Sequence, residues 1–228
     1  MFIVNDLTKR YRRGRDTIDA LRGVDITIDD GEFLAIQGPT GHGKSTLLQL
    51  LGGLDRQTSG SVEYDGRELG DLSERQLAEL RAREFGFIFQ SFNLIPTLTA
   101  AENVETALVP LGVSRSERRG RSLAALDDLG LADRARHLPG QLSGGEQQRT
   151  ALARALVKDP RVILGDEPTG NLDERTRDEI VGLLEKLWKE RGVTLIVVTH
   201  DGQVAARAAR RAWLNEGLVH EDLPLPAA

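Results

Sequence analysis

The chain has 228 residues, no cysteine and a formal net charge of −5. That length allows one domain with a sizeable core and an inserted subdomain, and 39% apolar against 29% charged residues excludes wholesale disorder. The composition also argues against thiol or disulfide chemistry, gives no support to a nucleic-acid binder acting through bulk charge, and contains no apolar run near the ~18 residues of a membrane span.

In chain order, residues 1–13 lack the apolar region of a secretion signal. Val24, Ile26 and Ile28 then alternate with Asp25, Thr27 and Asp29, the period of a half-buried strand. Asp30-Gly31 marks a turn, residues 32–37 a mostly apolar strand, and residues 60–66 a short strand between glycine turns. Ser73 with Gln76, and Ser114 with Glu117, have capping-box spacing. The first pair precedes Leu77 and Leu80; the second opens a helix carrying Leu123, Leu126 and Leu129, stopped by Gly130. Residues 161–165 and 193–199 are continuous apolar runs, suited to strands buried on both faces of a parallel sheet. Between them Ile180, Leu184, Leu187 and Trp188 form one stripe of a helix over about 174–191, closed by Gly192. Strand, helix and strand make a right-handed βαβ crossover. The expected fold is one α/β domain, with a core from 1–89 and 160–220, a helical subdomain over 90–159 and a frayed tail at 221–228.

Gly38-Pro39-Thr40-Gly41-His42-Gly43-Lys44-Ser45 fits G-x-x-x-x-G-K-[ST], follows a strand and precedes a helical run. Glycines let backbone N–H groups curl around a phosphate, and the helix N-terminus adds partial positive charge. Lys44 is placed to neutralise β- and γ-phosphates, and the Ser45 hydroxyl to help hold Mg²⁺. Asp166-Glu167 ends the run 162–165, where α/β sheets place ligands. Asp166 is expected to hold Mg²⁺ through water, and Glu167 to polarise the attacking water. Read alone, the pair is also compatible with a solvated turn before Pro168.

Leu142-Ser143-Gly144-Gly145-Glu146-Gln147-Gln148-Arg149 opens a helix running to about Lys158, with Ser143 as N-cap. This is a second helix start suited to an anion. With that octet present, the sequence closely resembles the ATP-binding cassette (ABC) ATPases over nearly its whole length, with the motifs in the family's order. The resemblance implies a P-loop NTPase fold with an antiparallel β subdomain and an inserted helical subdomain, and an ATPase using ATP and Mg²⁺. It also implies two copies paired head to tail, so that Ser143, Gly144, Gly145 and Glu146 meet ATP held by Gly38 to Thr46 of the other copy.

By the same resemblance Tyr11 stacks on adenine; otherwise it is a surface tyrosine. Gln90 senses Mg²⁺ and joins core to helical subdomain. Asn171-Leu172-Asp173 crosses the dimer interface, and Asp173 also reads as an N-cap. His200 is the switch histidine touching the γ-phosphate. His42 and Gly165 depart from the family's usual serine and alanine; His42 adds a pH-dependent charge near the phosphates as an expectation. Residues 51–55 (LGGLD), 89–96 (FQSFNLIP) and 166–173 (DEPTGNLD) resemble the ATPase subunits of macrolide-export, lipoprotein-release and cell-division systems. That branch implies a cytoplasmic subunit at the inner membrane face, driving a separate membrane permease. The alternative is a cell-division type scaffold coupled to a wall-remodelling partner without transport. Chromosome and repair ATPases insert coiled coils or zinc modules where this chain has only about a hundred residues without sustained heptads or cysteine. Residues 91–104, with Phe92, Leu94, Ile95 and Leu98, are expected to line a groove for a permease helix; the competing reading is internal core.

Overall fold

A computed structural model describes residues 1–14 and 16–220, and the tail expected at 221–228 lies outside them. The strands and helices in chain order are β1 (Phe2–Arg13), β2 (Asp16–Ile28), β3 (Phe33–Gln37), α1 (Lys44–Leu51), β4 (Ser59–Tyr64), β5 (Arg67–Glu68) and α2 (Glu74–Arg83). They continue with β6 (Phe85–Phe89), α3 (Ala100–Glu105), α4 (Arg115–Asp127), α5 (Gly144–Leu156) and β7 (Val162–Asp166). The chain then adds α6 (Glu174–Arg191), β8 (Thr194–Thr199), α7 (Gly202–Ala205), β9 (Arg210–Asn215) and β10 (Leu218–His220).

Two sheets organise these elements. One is antiparallel, ordered β2-β1-β4-β5. The other is ordered β10-β9-β3-β8-β7-β6, parallel throughout except where β10 returns along β9. Every residue of β3 and β8 is buried, as their continuous apolar runs require. Alternation along these strands splits them between two cores. Leu34, Ile36, Ile196 and Val198 pack with Leu47 and Leu51 of α1 and with Phe2, Val4 and Val62 of the antiparallel sheet. Phe33, Leu195 and Val197 turn the other way, onto Ile180, Val181 and Leu184 of α6. Helix α1 therefore lies between the sheets, and the parallel sheet carries helices on both faces. Between β6 and β7 the chain builds a third core from Ala100, Val104, Leu108, Leu126, Leu142 and Ala153.

The helix over 174–191 forms where expected. Asp173 accepts from the Thr176 N–H at 3.1 Å, and Gly192 closes the helix at φ +63°. Ser73 and Gln76 make the reciprocal capping box of α2. Helix α4 ends at Asp127, so Leu129 lies beyond it and Leu123 stays 38% exposed, whereas Leu126 is fully buried. The strand through Val24–Ile28 is the end of a 13-residue strand whose first five positions are exposed or half-buried. Those positions carry no hydrophobic period; pairing with β1 defines them. Strands β9 and β10 escape the sequence pattern for a related reason. Arg210 and Arg211 open β9, and only Ala212 and Leu214 are buried, so its parallel pairing with β3 makes it a strand.

Leu164 is fully buried in β7 within the core beneath α1. Leu164→Ala is expected to lower unfolding stability by about 2–5 kcal/mol, read from urea denaturation followed by circular dichroism.

Candidate functional site

The parallel strands bring their C-terminal ends to one edge of the sheet, where ligands bind in open α/β folds. Register sets Gln37 beside Thr199, and Asp166 beside both Phe89 and Val198. The residues that follow these ends include Gly38, Gln90, Glu167 and His200. An open cavity of about 620 Å³ lies there, lined by residues including Tyr11, Thr40, Gly41, Gly43, Lys44, Ser45, Thr46, Gln90, Asp166, Glu167 and His200. Gly38, Pro39 and His42 complete the loop outside that lining. The His42 Nδ1 accepts from the Glu216 N–H at 3.0 Å, in the turn between β9 and β10.

The loop curls because its glycines adopt backbone angles that side chains resist: φ is +151° at Gly38 and +101° at Gly43. Gly43 is the N-cap of α1 and supplies no side-chain acceptor, so the helix start keeps the uncapped N–H groups that suit an anion. Lys44 is only 6% exposed; its Nζ donates to the carbonyls of Gly38 at 2.7 Å and Pro39 at 3.1 Å. Burial pulls its pKa below the usual lysine value, while Glu167 and Asp166 oppose that shift. The Glu167 carboxylate lies 3.9 Å from Nζ.

Ser45 Oγ donates to Asp166 Oδ1 at 2.8 Å. Burial raises the Asp166 pKa, with the neighbouring Glu167 charge adding and the Ser45 hydroxyl opposing. Glu167 sits at φ +46°, held where its N–H donates to Val198 O at 2.9 Å. Its carboxylate receives the His200 N–H at 3.2 Å, and the His200 Nδ1 lies 2.9 Å from Oε1. Ser45, Asp166 and Gln90 offer hydroxyl, carboxylate and amide oxygens, the hard donors that suit Mg²⁺. Among the described residues no group of three or more His, Cys, Asp or Glu forms a metal cage.

Tyr11 is fixed at the cavity rim by Asp55, the last residue of the LGGLD run. Its OH donates to Asp55 Oδ2 at 2.8 Å, and Lys9 Nζ lies 4.7 Å from the ring centroid while pairing with Asp55 Oδ1 at 2.7 Å. The ring is a clamped plane rather than a free surface side chain.

Ser143, Gly144, Gly145, Glu146 and Asp173 do not line this cavity. They open α5 and α6, which meet closely: a Cβ on Gly145 would lie 2.6 Å from Thr176 Cγ2. Ser143 and Glu146 form a reciprocal capping box, and Arg134 Nε donates to Glu146 Oε1 at 2.8 Å. The Ser143 N–H, followed by Arg134, holds the Glu146 carboxyl at about 2, below its usual 4.5.

In the stretch 91–104, Phe92, Leu94, Ile95 and Leu98 join none of the three cores and Ile95 is 44% exposed, whereas Ala100, Ala101 and Val104 are fully buried in the third core. This disfavours the internal-core reading of Phe92, Leu94, Ile95 and Leu98. Asn103 and Arg154, which sequence patterns do not single out, and Asn171, which the resemblance placed only at a dimer interface, hold the first part of this stretch in place. Asn103 donates to the carbonyls of Ile95, Leu98 and Thr99. Arg154 donates to those of Phe92 and Asn93. Asn171 bonds Gln90 twice. No local signal exposes the Arg154 and Asn171 contacts, because their partners lie far away in the chain.

The ABC transporter family model matches residues 21–170. The chain is 47% identical, over 96% of its length, to the lipoprotein-releasing system ATP-binding protein LolD of Geobacter metallireducens, covering 97% of that protein. It is 49% identical, again over 96% of its length, to the macrolide export ATP-binding/permease protein MacB of Rhodopseudomonas palustris, but spans only 33% of that longer chain. A solved dimeric ATP-binding cassette in a post-hydrolysis state, bound to ADP and Pi, matches with a TM-score of 0.91 and 44% identity, with 100% of both chains covered.

A carboxyl depressed on folding stabilises in full above its unfolded value of 4.5, and that stabilisation is lost as pH falls toward about 2. Wild type is therefore expected to lose more stability between about pH 5 and about pH 3 than Glu146→Gln, whose amide keeps an acceptor for the capping box. Urea midpoints of the two proteins at both pH values read the difference.

Proposed function

This chain belongs to the ABC transporter family, and from that premise we propose that it binds ATP with Mg²⁺ in the cavity described above, hydrolyses it, and drives a membrane permease as a head-to-tail dimer. The observation that carries this reading is the meeting of Lys44, Ser45, Gln90, Asp166, Glu167 and His200 around one cavity, from four separate parts of the chain.

In this reading the phosphates lie over the start of α1. Lys44 turns its ammonium from the Gly38 and Pro39 carbonyls to the β- and γ-phosphate oxygens. Ser45 Oγ, the Gln90 amide oxygen and, through water, Asp166 hold the cation. When bound, Mg²⁺ supplies positive charge that offsets the phosphate oxygens. Glu167 orients a water in line with the γ-phosphorus and accepts its proton as the new P–O bond forms and the bond to the β–γ bridging oxygen breaks. His200 positions Glu167 and contacts the γ-phosphate. Positioning and charge neutralisation supply most of the acceleration. The clamped Tyr11 ring offers a flat face to adenine.

Ser143, Gly144, Gly145, Glu146 and Asp173 lie off the cavity of their own chain, so their phosphate role requires a second copy. The dimeric state of the solved cassette supports that pairing. Residues 90–159 act as a helical subdomain that carries the first four, while Asp173 opens α6 of the core. One relative is named an ATP-binding/permease protein for macrolide export and another the ATP-binding protein of a lipoprotein-releasing system, which supports a membrane permease as the partner, met by this chain from the cytoplasmic side. Among the described residues no helix is long and apolar enough to cross a membrane, which fits an attached rather than a spanning role. The half-exposed stretch from Phe92 to Leu98 is the docking surface for that partner.

Glu167→Gln is expected to lower ATP turnover by about a hundredfold or more while keeping ATP binding and accumulating dimer with ATP and Mg²⁺; Lys44→Ala loses binding and dimer together. Phosphate release and light scattering after gel filtration read these outcomes. Equal turnover in all three proteins would sink the hydrolytic reading. Tagged Glu167→Gln should also enrich one polytopic membrane protein from membranes, absent with Lys44→Ala; a ribosomal or nucleic-acid partner would overturn the permease reading. Phe92→Ala combined with Leu94→Ala should lose that membrane protein while keeping the wild-type urea midpoint; a lowered midpoint with partner binding intact would restore the core assignment.

A further inference from the structure

The orientation of the Gln90 amide can be read from its neighbours. Asn171 Nδ2 donates to the main-chain carbonyl of Gln90 at 3.0 Å, and Asn171 Oδ1 accepts from Gln90 Nε2 at 3.1 Å. A carbonyl accepts only, so it fixes which end of the Asn171 amide faces it. The other end must then be oxygen, and only a nitrogen of Gln90 can donate to that oxygen. Reversing the Gln90 amide would set two acceptor oxygens against each other. The side chain also has a built bed: a Cβ on Gly170 would lie 2.8 Å from Gln90 Nε2 and 3.1 Å from its Cδ. That bed belongs to a turn anchored at the acidic pair, where the Gly170 N–H donates to Glu167 O at 3.0 Å.

We infer that Asn171 is a positioning residue that engages the Gln90 nitrogen and so leaves its oxygen, Oε1, for the divalent cation that accompanies the nucleotide. The inference rests on the metal role proposed for Gln90. An amide oxygen ligates a hard cation, whereas an amide nitrogen has no lone pair to offer. The turn that follows the acidic pair thereby helps to set the metal site, and it does so through Gln90 rather than by touching the metal.

Asn171 is exposed, so removing its side chain leaves the cores intact. The test titrates Mg²⁺ into the full chain with a fluorescent, non-hydrolysable ATP analogue and reads the midpoint by fluorescence. Asn171→Ala is expected to raise that midpoint about three- to tenfold, the worth of one or two net hydrogen bonds. Metal-free nucleotide binding and Tm stay as in wild type. Asn171→Leu, similar in size and without the amide, shifts the midpoint equally. In a Gln90→Ala background Asn171→Ala adds nothing, as a residue acting through Gln90 requires. Equal midpoints for wild type and Asn171→Ala, or a full shift that persists beside Gln90→Ala, overturn the inference. Wild-type nucleotide binding that ignores Mg²⁺ overturns the metal role of Gln90 itself, and the inference with it.

Discussion

A Cβ atom on Gly38 would lie 1.9 Å from the carbonyl oxygen of Leu214, and one on Gly43 would lie 2.3 Å from that of Ala20. The phosphate loop is thus wedged between β9 of the parallel sheet and β2 of the antiparallel one, with backbone against backbone. No side chain longer than hydrogen fits at either point. The rest of the site depends on that wedge. It starts α1 at Lys44 with an uncapped first turn, buries the Lys44 stem, and sets Ser45 within hydrogen-bonding distance of Asp166. It also gives the weakly patterned strand β9 a purpose: with the turn that follows it, at Glu216, it forms the wall against which the loop is shaped.

The charged groups around the loop satisfy one another. Lys44 is buried, its charge spread over two loop carbonyls and opposed by burial, while Asp166 and Glu167 stand close by. A buried charge that has lost its water is strongly drawn to any anion entering the cavity. The two carboxylates need cations or donors in turn, and Ser45, His200 and Lys44 supply them here. The groups proposed to receive the phosphates and the cation are thus the ones that offset one another's charge.

Three segments far apart in sequence behave as one packed unit beside this site. Arg154 of α5 grips the stretch after Gln90, and Gln148 of the same helix donates to the Pro168 carbonyl just past the acidic pair. Gly144 packs near Phe92 and Leu172, and Gly145 against Thr176. Hydrogen bonds from a charged donor contribute about 1.5–3 kcal/mol each, so the Arg154 grip is a strong local constraint. The start of α5 cannot shift without disturbing the residues after Gln90 and after Glu167. This links the helix proposed to face a second nucleotide with the groups proposed to act on the first.

Much of this was legible in the sequence because its cause is local. The phosphate loop is a run of glycines beside Lys44 and Ser45; α6 is bounded by its own cap at Asp173 and by Gly192; the buried strands of the parallel sheet are continuous apolar runs. Glu167 stood out as one of an acidic pair at a strand end, and the resemblance to the ABC ATPases pointed to Gln90 and His200. The structure alone decided where contacts join residues distant in the chain. Asn171 meets Gln90 across 81 positions, Arg154 meets Phe92 across 62, and His42 meets Glu216 across 174. The extent of β1 and β2, the existence of β9, and the partner of Tyr11 belong to the same class. A cap or a hydrophobic period is set by residues within one or two turns of each other, so sequence determines it. A hydrogen bond between side chains on separate elements depends on how those elements pack, and no local pattern records that.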